Sequence, residues 1–306
     1  MAQPVADLGG YEVIGRLAVG GMAEVYQARA LASTQRSAGE PDEVVLKRLL
    51  PAYRNEGAYV KAFVDEARLT VRLRHPHIVR TFRLFKAGPD YLMVQELVAG
   101  RTLGFMQERL GKAGSAMPPA AACYIAACVL EALDYLHRAK VGENGAPIIH
   151  RDVNPANILL SVTGEVKLTD FGVADAEGVA HGDVGALRGT LAYMSPEQVL
   201  GQPVDVRSDL YAVGVLLWEL LANRRLHTGQ GEAELMHQVR DARAPLLSSL
   251  VPELPDYAVR VVRKALFADR ALRFQSAAEF LRALEVLGRR TGWPLSVEAL
   301  QPLLGG

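Results

Sequence analysis

Residues His150–Leu160 read HRDVNPANILL, and the interpretation of the whole chain depends on this stretch. It follows the apolar pair Ile148–Ile149, becomes polar, and ends in the apolar run Ile158–Leu160. That pattern predicts a strand, a loop and a second strand. A loop of this kind can hold Asp152 as a proton acceptor close to Asn157 as a metal ligand.

Proline restricts the conformation of the loop. Pro155 excludes a helix interior and favours extended backbone at Asn154. Asp and Asn are also common turn residues that hydrogen-bond to their own backbone, so Asp152 and Asn157 taken alone are better explained as turn residues. The motifs elsewhere in the chain favour the functional interpretation.

The order of these motifs resembles that of the protein kinase family. The family's catalytic loop is H-R-D with an Asn five residues after the Asp, which His150–Asp152 and Asn157 match. Asp170–Gly172 matches D-F-G, and Ser195–Glu197 resembles A-P-E with a conservative Ser. The run GGMAEVY is similar to the same region in bacterial serine/threonine kinases of the eukaryotic-like type. The resemblance extends from Tyr11 to about residue 287.

The resemblance implies an α+β fold of the bilobal protein kinase type. We expect a small antiparallel five-stranded N-lobe with one helix, at about 11–97, and a larger, mainly helical C-lobe at about 101–288. Residues 1–10 would be an N-terminal extension and 289–306 a C-terminal tail with no interpretable pattern. Apolar alternation predicts the five strands, and helical periodicity predicts the helix of the small lobe: strands Tyr11–Leu17, Ala23–Ala30, Glu43–Leu49, Ile78–Phe85 and Tyr91–Leu97, and helix Tyr59–Leu73.

A glycine-bearing turn, AVGGM, joins the first two predicted strands. Such a turn lets backbone N–H groups approach a phosphate chain, although an ordinary hairpin is the simpler interpretation of these residues alone. Aligned on Val25, the kinase glycine-rich loop places Ala18, Gly20 and Ala23 at its three glycine positions, so only the middle glycine is retained. The resemblance assigns nucleotide contacts to Leu17, Ala18, Val19, Gly20, Gly21, Met22, Ala23, Glu24 and Val25.

Lys47 ends the run VVLK, which resembles the kinase strand whose lysine holds the nucleotide phosphates. Glu66, inside the predicted helix, is then its ion-pair partner. The alternative is that Glu66 faces Lys61 or Arg68 on a solvated helix face.

The segment QELVAG resembles the kinase hinge, where adenine hydrogen-bonds to backbone groups. Glu96 and Val98 would supply the carbonyl and N–H groups, and Gln95 would stand at the back of the nucleotide pocket. Val45 and Leu159 complete the set of nucleotide-contacting residues that the resemblance implies.

The implied cofactors are ATP and Mg²⁺. Magnesium prefers oxygen ligands and completes its shell with phosphates and water, so Asn157 and Asp170 are a sufficient protein contribution. An Asp in a turn between strands is the alternative for Asp170, but its position after the catalytic loop favours the metal.

The expected activation segment, Val173–Gly189, follows Gly172, and this span contains no Ser, Thr or Tyr. Many kinases order this segment by a phosphate that meets the arginine before the catalytic Asp, here Arg151. We therefore hypothesise that a regulatory partner orders the segment, or that Arg151 pairs with a built-in acid: Asp175, Glu177 or Asp183.

Three further residues have roles implied by the resemblance. Thr190, in GTLAY, is typical of the substrate-docking loop of serine/threonine kinases. Asp209, in a helical run that is otherwise almost entirely apolar, would anchor the backbone of the catalytic loop. Arg273 would form a buried structural ion pair with Glu197.

Bulk composition excludes some classes of function. The 306 residues contain 34 basic and 34 acidic side chains, so no net field favours nucleic acid or an anionic membrane. The N-terminus lacks a secretory pattern, and the most apolar run, Leu210–Leu217, is too short to span a bilayer, which needs about 20 residues. Cys123 and Cys128 lie about 140° apart on a predicted helix and should be buried thiols rather than a disulfide. We expect a cytoplasmic protein.

Three functions remain open on this evidence. The first is a serine/threonine protein kinase acting on protein hydroxyls. The second is an ATP-binding, pseudokinase-like scaffold, favoured by Ala18 and by Asn154, which stands where serine/threonine kinases usually have a lysine. The third, a small-molecule phosphotransferase, is disfavoured because GTLAY would serve no purpose there.

Overall fold

The computed structural model describes residues 7–141, 145–171, 189–229 and 231–304. These residues form two compact units. The first contains the described residues up to Val98, together with Phe171, and the second contains Ala99–Asp170 and the described residues from Gly189 onwards.

The first unit is a five-stranded antiparallel sheet with one helix, as predicted. Its strands lie in the order β1–β2–β3–β5–β4. Strand β4 begins three residues later than expected, because Ile78 closes a turn in which its N–H donates to the His75 carbonyl (3.2 Å). The elements are β1 (Tyr11–Val19), β2 (Ala23–Ala30), β3 (Glu43–Leu49), α1 (Gly57–Thr70), β4 (Thr81–Ala87) and β5 (Asp90–Glu96).

Alternation along β3 separates the two faces of this sheet. Val44 and Leu46 point to one face and pack in a cluster with Tyr11, Phe82 and Val94. A second cluster lies on the opposite face, where Phe63 and Ala67, one turn apart on α1, pack against Ala23, Leu49 and Met93 of the sheet. Helix α1 is therefore held over the face that also carries residue 47.

The second unit is mainly helical, which confirms the predicted α+β class. Its central helix buries nearly every side chain from Ser208 to Leu221, so it lies inside the unit. The helices are α2 (Leu103–Lys112), α3 (Pro119–Arg138), α4 (Pro196–Val199), the central α5 (Val206–Ala222), α6 (Glu232–Asp241), α7 (Asp256–Ala265), α8 (Ala277–Thr291) and α9 (Gln301–Leu304). Helix α3 packs against α5 and α8, and α5 packs against α7.

A small sheet accompanies these helices. Strands β6 (Gly100–Thr102), β9 (Ile158–Ser161) and β10 (Val166–Leu168) lie in the order β10–β9–β6. Strands β9 and β10 are antiparallel, and Ile158 at the start of β9 pairs with Leu168 at the end of β10. The residues before β9 therefore lie close to those after β10. This arrangement positions the candidate site.

The strand predicted at Ile148–Ile149 is wrong. Strand pairing occurs earlier in the chain, in a hairpin of two short strands, β7 (Lys140–Val141) and β8 (Ala146–Pro147). Ile148 instead donates its N–H to the Leu136 carbonyl at the end of α3 (3.3 Å). The last carbonyl groups of a helix have no N–H partner within the helix, so the end of α3 takes the hydrogen bond that a neighbouring strand would otherwise have accepted.

Helix α3 is, by length and composition alone, apolar enough to cross a membrane. Within the described residues, 67% of its apolar window is buried against the rest of the protein. Core helices commonly have this pattern. Cys123 and Cys128 lie on it as buried free thiols, as predicted, and burial raises the pKa of each to about 12.

The tail, which has no interpretable pattern in sequence, packs on the second unit. A 3₁₀ turn at Val297–Leu300 precedes α9 and contacts α3, which buries Leu300 and Leu303. Arg109 holds the end of the tail by donating from Nη2 to the Leu303 carbonyl (3.2 Å).

Candidate active site

The predicted ion pair of the first unit is present. Lys47 Nζ lies 2.7 Å from Glu66 Oε1, and the two side chains are only 9% and 5% exposed. Lys47 shares a face of β3 with Leu49, and Glu66 shares a face of α1 with Phe63, so the packing of α1 on the sheet brings the charges together. Glu66 is thus paired across the core rather than with the solvated cations of its own helix.

Strand register gathers six of the predicted nucleotide-contacting residues on one face of the sheet, Ala23 among them because it pairs with Leu49. Ala18 pairs with Val25, Val25 with Lys47, and Val45 with Gln95. Directly opposed residues in antiparallel strands share a face, and Val45 and Lys47 share a face because they are two positions apart. The sheet therefore presents a small, mostly apolar surface bordered by one ammonium group.

The turn between β1 and β2 does not itself require its glycine. Gly20 donates its N–H to the Ala23 carbonyl (2.8 Å), and a Cβ at Gly20 would meet only that oxygen, at an ordinary 3.5 Å. Gly20 and Gly21 both have negative φ. The fold itself therefore does not exclude a side chain at position 20.

Two residues of the predicted loop point away from Lys47. Val19 and Glu24 pair with each other and lie on the opposite face of the sheet. Glu24 there accepts a hydrogen bond from Tyr26 and lies near Arg16 (3.7 Å) and Arg48 (3.8 Å). A phosphate contact from Glu24 would have to come from its backbone.

The predicted hinge residues lie at and after the end of β5. Gln95 is buried and donates from Nε2 to Thr81 Oγ1 (3.5 Å), while Glu96 Oε1 accepts from the Arg80 N–H (2.7 Å). Both contacts fix the end of strand β5, two residues before Val98. Leu159 lies in β9 of the second unit, opposite Thr102.

In the second unit, two amides hold the carboxylate of Asp152. Asn154 Nδ2 donates to Oδ1 (2.6 Å), and Asn157 Nδ2 donates to Oδ2 (2.8 Å). Asn154 has the extended backbone predicted from Pro155, with φ −150° and ψ 166°. Its Oδ1 also accepts from the Ala156 N–H (2.8 Å), so the turn and the orientation of the carboxylate depend on one side chain.

His150 connects this loop to the strand that leads to Asp170. Its Nδ1 accepts the Asp152 N–H (3.3 Å), and its Nε2 lies 3.2 Å from the Thr169 carbonyl oxygen. A carbonyl can only accept, so Nε2 carries the proton. Burial lowers the pKa of His150, which keeps the ring neutral in this tautomer.

Asp209 anchors the loop backbone, as predicted. Its Oδ2 accepts from the His150 N–H (2.9 Å) and its Oδ1 from the Arg151 N–H (2.8 Å). His137 Nε2 lies 2.8 Å from the same Oδ2. Arg151 and Asp170 both have positive φ, 68° and 55°, a conformation that costs non-glycine residues energy and often marks functional sites.

The predicted buried pair of Glu197 and Arg273 is also present. Arg273 donates from Nη1 to Oε1 and from Nη2 to Oε2, both at 2.8 Å, and Ser208 donates to Oε1 (2.6 Å). Burial by itself raises the pKa of Glu197, but these hydrogen bonds outweigh it and lower the pKa. The pair fastens α4 to the loop before α8.

The chemistry of the donor set fits a magnesium ion. Asn157 donates from Nδ2 to Asp152, so its Oδ1 is the atom that can bind a cation. Asp170 can supply a carboxylate oxygen. No cluster of three or more His, Cys, Asp or Glu in the described part of the chain could hold a metal by itself. Phosphate and water oxygens would have to complete the shell, as Mg²⁺ usually requires.

Some predictions fall on residues outside those described: Gly172 and the three acids proposed to meet Arg151, namely Asp175, Glu177 and Asp183. Sequence reasoning missed two residues that support the loop: Gln198, which contacts it directly, and His137, which contacts its anchor Asp209. His137 gave no signal beyond a place near the end of α3. Gln198 did give a sequence signal: a Ser followed three residues later by Gln is the pattern of a helix capping box, and Ser195 and Gln198 form one.

Known proteins resemble this chain over most of its length. A family model described as "Protein kinase domain" matches residues 11–283. Tyrosine-protein kinase MasK of Myxococcus xanthus is 32% identical over 280 residues, which cover 90% of this chain and 43% of MasK. Serine/threonine-protein kinase PknL of Mycobacterium tuberculosis is 33% identical over 285 residues, which cover 93% of this chain and 67% of PknL. The chain thus spans less than half the length of MasK.

One of the similar solved structures is the PknI kinase domain of Mycobacterium tuberculosis. It aligns with a TM-score of 0.68 and 26% identity, over 94% of this chain and 99% of that one.

Proposed function

Because this chain belongs to the protein kinase family, we propose that it transfers the ATP γ-phosphoryl group to Ser or Thr hydroxyls of proteins. The proposal rests above all on the Asp152 carboxylate, which two amides orient on a loop anchored by Asp209. A proton acceptor fixed in this way suits the deprotonation of an attacking hydroxyl.

Each half of the proposed machinery is built within its own unit. Lys47, held extended by Glu66, offsets the charge of the nucleotide α- and β-phosphates. Asp152 orients the substrate hydroxyl and takes its proton. Asn157 and Asp170 would hold Mg²⁺, which neutralises phosphate charge when bound. Most of the rate enhancement comes from positioning, because the Asp152 carboxylate and the Lys47 ammonium group are each held by partners before substrate binds.

The remaining nucleotide contacts follow from strand register and from the hinge. Ala18, Val25 and Val45 form the apolar surface beside Lys47, and residues 17–25 supply backbone N–H groups to phosphates. Glu96 and Val98 offer backbone groups to adenine. We propose a kinase domain over residues 11–288 in a cytoplasmic setting, where ATP is available and the buried thiols of α3 stay reduced.

Serine and threonine are the proposed acceptors because the docking loop reads GTLAY, with Thr190 buried. PknL carries the name of a serine/threonine kinase, whereas MasK is named a tyrosine kinase. Transfer to tyrosine is therefore the second candidate function.

The test uses purified protein with Mg²⁺, labelled ATP and a generic basic protein substrate. We expect label on Ser or Thr by phosphoamino-acid analysis and a loss of at least about a hundredfold in Asp152→Asn, which removes the proton acceptor. Asp241→Asn, at an exposed site, is the matched control. If wild type and Asp152→Asn transfer equally little while both bind ATP, the chain is a nucleotide-binding scaffold. Label on tyrosine selects the second candidate.

A further inference from the structure

Gln198 connects helix α4 to the catalytic loop. Its Nε2 donates to the carbonyl oxygen of Arg151 (3.0 Å), 47 residues earlier in the chain. Its Oε1 accepts from the Ser195 N–H (3.0 Å) and from Ser195 Oγ (3.1 Å). The side chain is therefore clamped at both ends, and its orientation is determined by the start of α4.

The carbonyl that Gln198 holds precedes Asp152 directly. Arg151 has the strained φ of 68°, its N–H is taken by Asp209, and its carbonyl is taken by Gln198. The two contacts constrain the peptide groups on both sides of Arg151. Rotation of the peptide between Arg151 and Asp152 would swing the Asp152 side chain away from its two amide donors, so Gln198 helps to set the direction of the carboxylate.

Residues 189–198, which carry both GTLAY and Gln198, directly follow the expected activation segment. The contact of Gln198 with Arg151 couples the position of these residues to that of the catalytic loop. The span from Gly172 to Gly189 offers no hydroxyl for a phosphate that could pair with Arg151. An uncharged amide acting on the backbone of Arg151 provides a coupling that needs no phosphate.

We propose that Gln198 is a positioning residue through which the docking segment holds Asp152 in its working orientation, independently of phosphorylation. The inference rests on the proposed function, because it assigns Gln198 to the same transfer reaction. Gln198 acts through Arg151 and Asp152 and does not touch the reacting atoms.

Two substitutions separate this role from helix capping. Gln198→Glu keeps the Oε1 acceptor for Ser195 but replaces the donor with a carboxylate that repels the Arg151 carbonyl. Gln198→Leu removes both functions. Gln202→Leu is the matched control, since Gln202 is exposed on the same short segment.

We expect kcat to fall about tenfold in both Gln198 variants, the equivalent of about 1.4 kcal/mol. The KM for ATP should change less than about twofold, because the lysine and hinge groups are untouched. Amide hydrogen exchange should accelerate in residues 148–157, and Gln202→Leu should match wild type in all three measurements.

The proposal is overturned if Gln198→Glu keeps kcat within about twofold of wild type, or if its kcat falls only in proportion to a loss of folded protein. It is also overturned if exchange at residues 148–157 is unchanged. The exchange measurement does not need transfer activity, so an inactive wild type would refute the proposed function while still testing the contact of Gln198 with Arg151.

Discussion

Asn154 stands where serine/threonine kinases usually carry a lysine, and the structure shows what an amide does at that position. It donates to Asp152 Oδ1 at 2.6 Å and closes the turn through the Ala156 N–H. It therefore provides the orientation that a lysine could provide, but not the positive charge near the transferred phosphate. The rate of transfer should depend on both contributions separately.

Substitution of Asn154 separates orientation from charge. Asn154→Ala should lower kcat about ten- to hundredfold, because a hydrogen bond to a carboxylate is worth about 1.5 to 3 kcal/mol. Asn154→Lys should raise kcat, by up to about tenfold, since it adds a cation while keeping a donor to Asp152. Steady-state kinetics with saturating ATP measures both. An unchanged rate in Asn154→Lys would mean that another group already supplies the charge.

Buried histidine makes stability depend on pH. Burial lowers the pKa of His227 to about 4 from its ordinary 6.5. The unfolded chain binds a proton below pH 6.5 that the folded chain does not accept until about pH 4. The free energy of unfolding should therefore fall as the pH drops through this window, by about 3 kcal/mol in total, and this contribution should be constant above it.

The measurement is urea unfolding at pH 7.5 and pH 5, for wild type and His227→Phe. Because other groups titrate in the same range, the difference between the two proteins isolates His227. We expect His227→Phe to lose less stability than wild type on acidification. Equal losses would show that His227 is not the group responsible.

Among the secondary-structure elements, short ones share with the long helix α5 the polar contacts that hold the second unit's site. Helix α4 has only four residues, yet Glu197 ties it to Arg273 and Gln198 ties it to the catalytic loop. The 3₁₀ turn of the tail similarly packs against α3, with Leu300 buried. These elements are stable because of tertiary contacts, since a helix of one turn has almost no stability of its own.

Removal of Arg273 should therefore destabilise the fold strongly. Arg273→Met leaves the Glu197 carboxylate buried without its cation, and we expect a loss of about 3 to 5 kcal/mol in the free energy of unfolding. Lys112→Met is the control, because Lys112 and Glu108 are 76% and 64% exposed and their ion pair should contribute little to stability. Chemical denaturation measures the free energy of unfolding of both variants. If the two variants lose similar amounts, the buried pair is not a main source of stability.

For the molecule as a whole, the proposed catalytic groups are divided between the two units. The first carries Lys47 with Glu66, and the second carries Asp152, Asn157 and Asp170. Each set is fixed by contacts within its own unit, so the local geometry does not require a phosphorylated residue.

Phosphatase treatment should therefore leave the transfer activity within about twofold of untreated protein. The span from Gly172 to Gly189 has no hydroxyl acceptor, and mass spectrometry of the treated and untreated protein checks that phosphate has been removed elsewhere. A loss of activity together with phosphate on a residue that contacts Arg151 would contradict the prediction.

By itself, the sequence determined the order of the motifs, the five-stranded sheet and the partners of Lys47, Asp209 and Arg273. The sheet follows from local periodicity, and the partners are those that the resemblance to the kinase family implies. Tertiary structure alone decided that Asn154 orients Asp152, that Gln198 reaches Arg151, and that the tail packs on α3. Asp152 and Asn154 are only two residues apart, but the direction of their side chains, like a hydrogen bond between distant residues, depends on packed geometry that no local pattern encodes. In HRDVNPANILL, the residue types came from the sequence, and the direction of the carboxylate came from the fold.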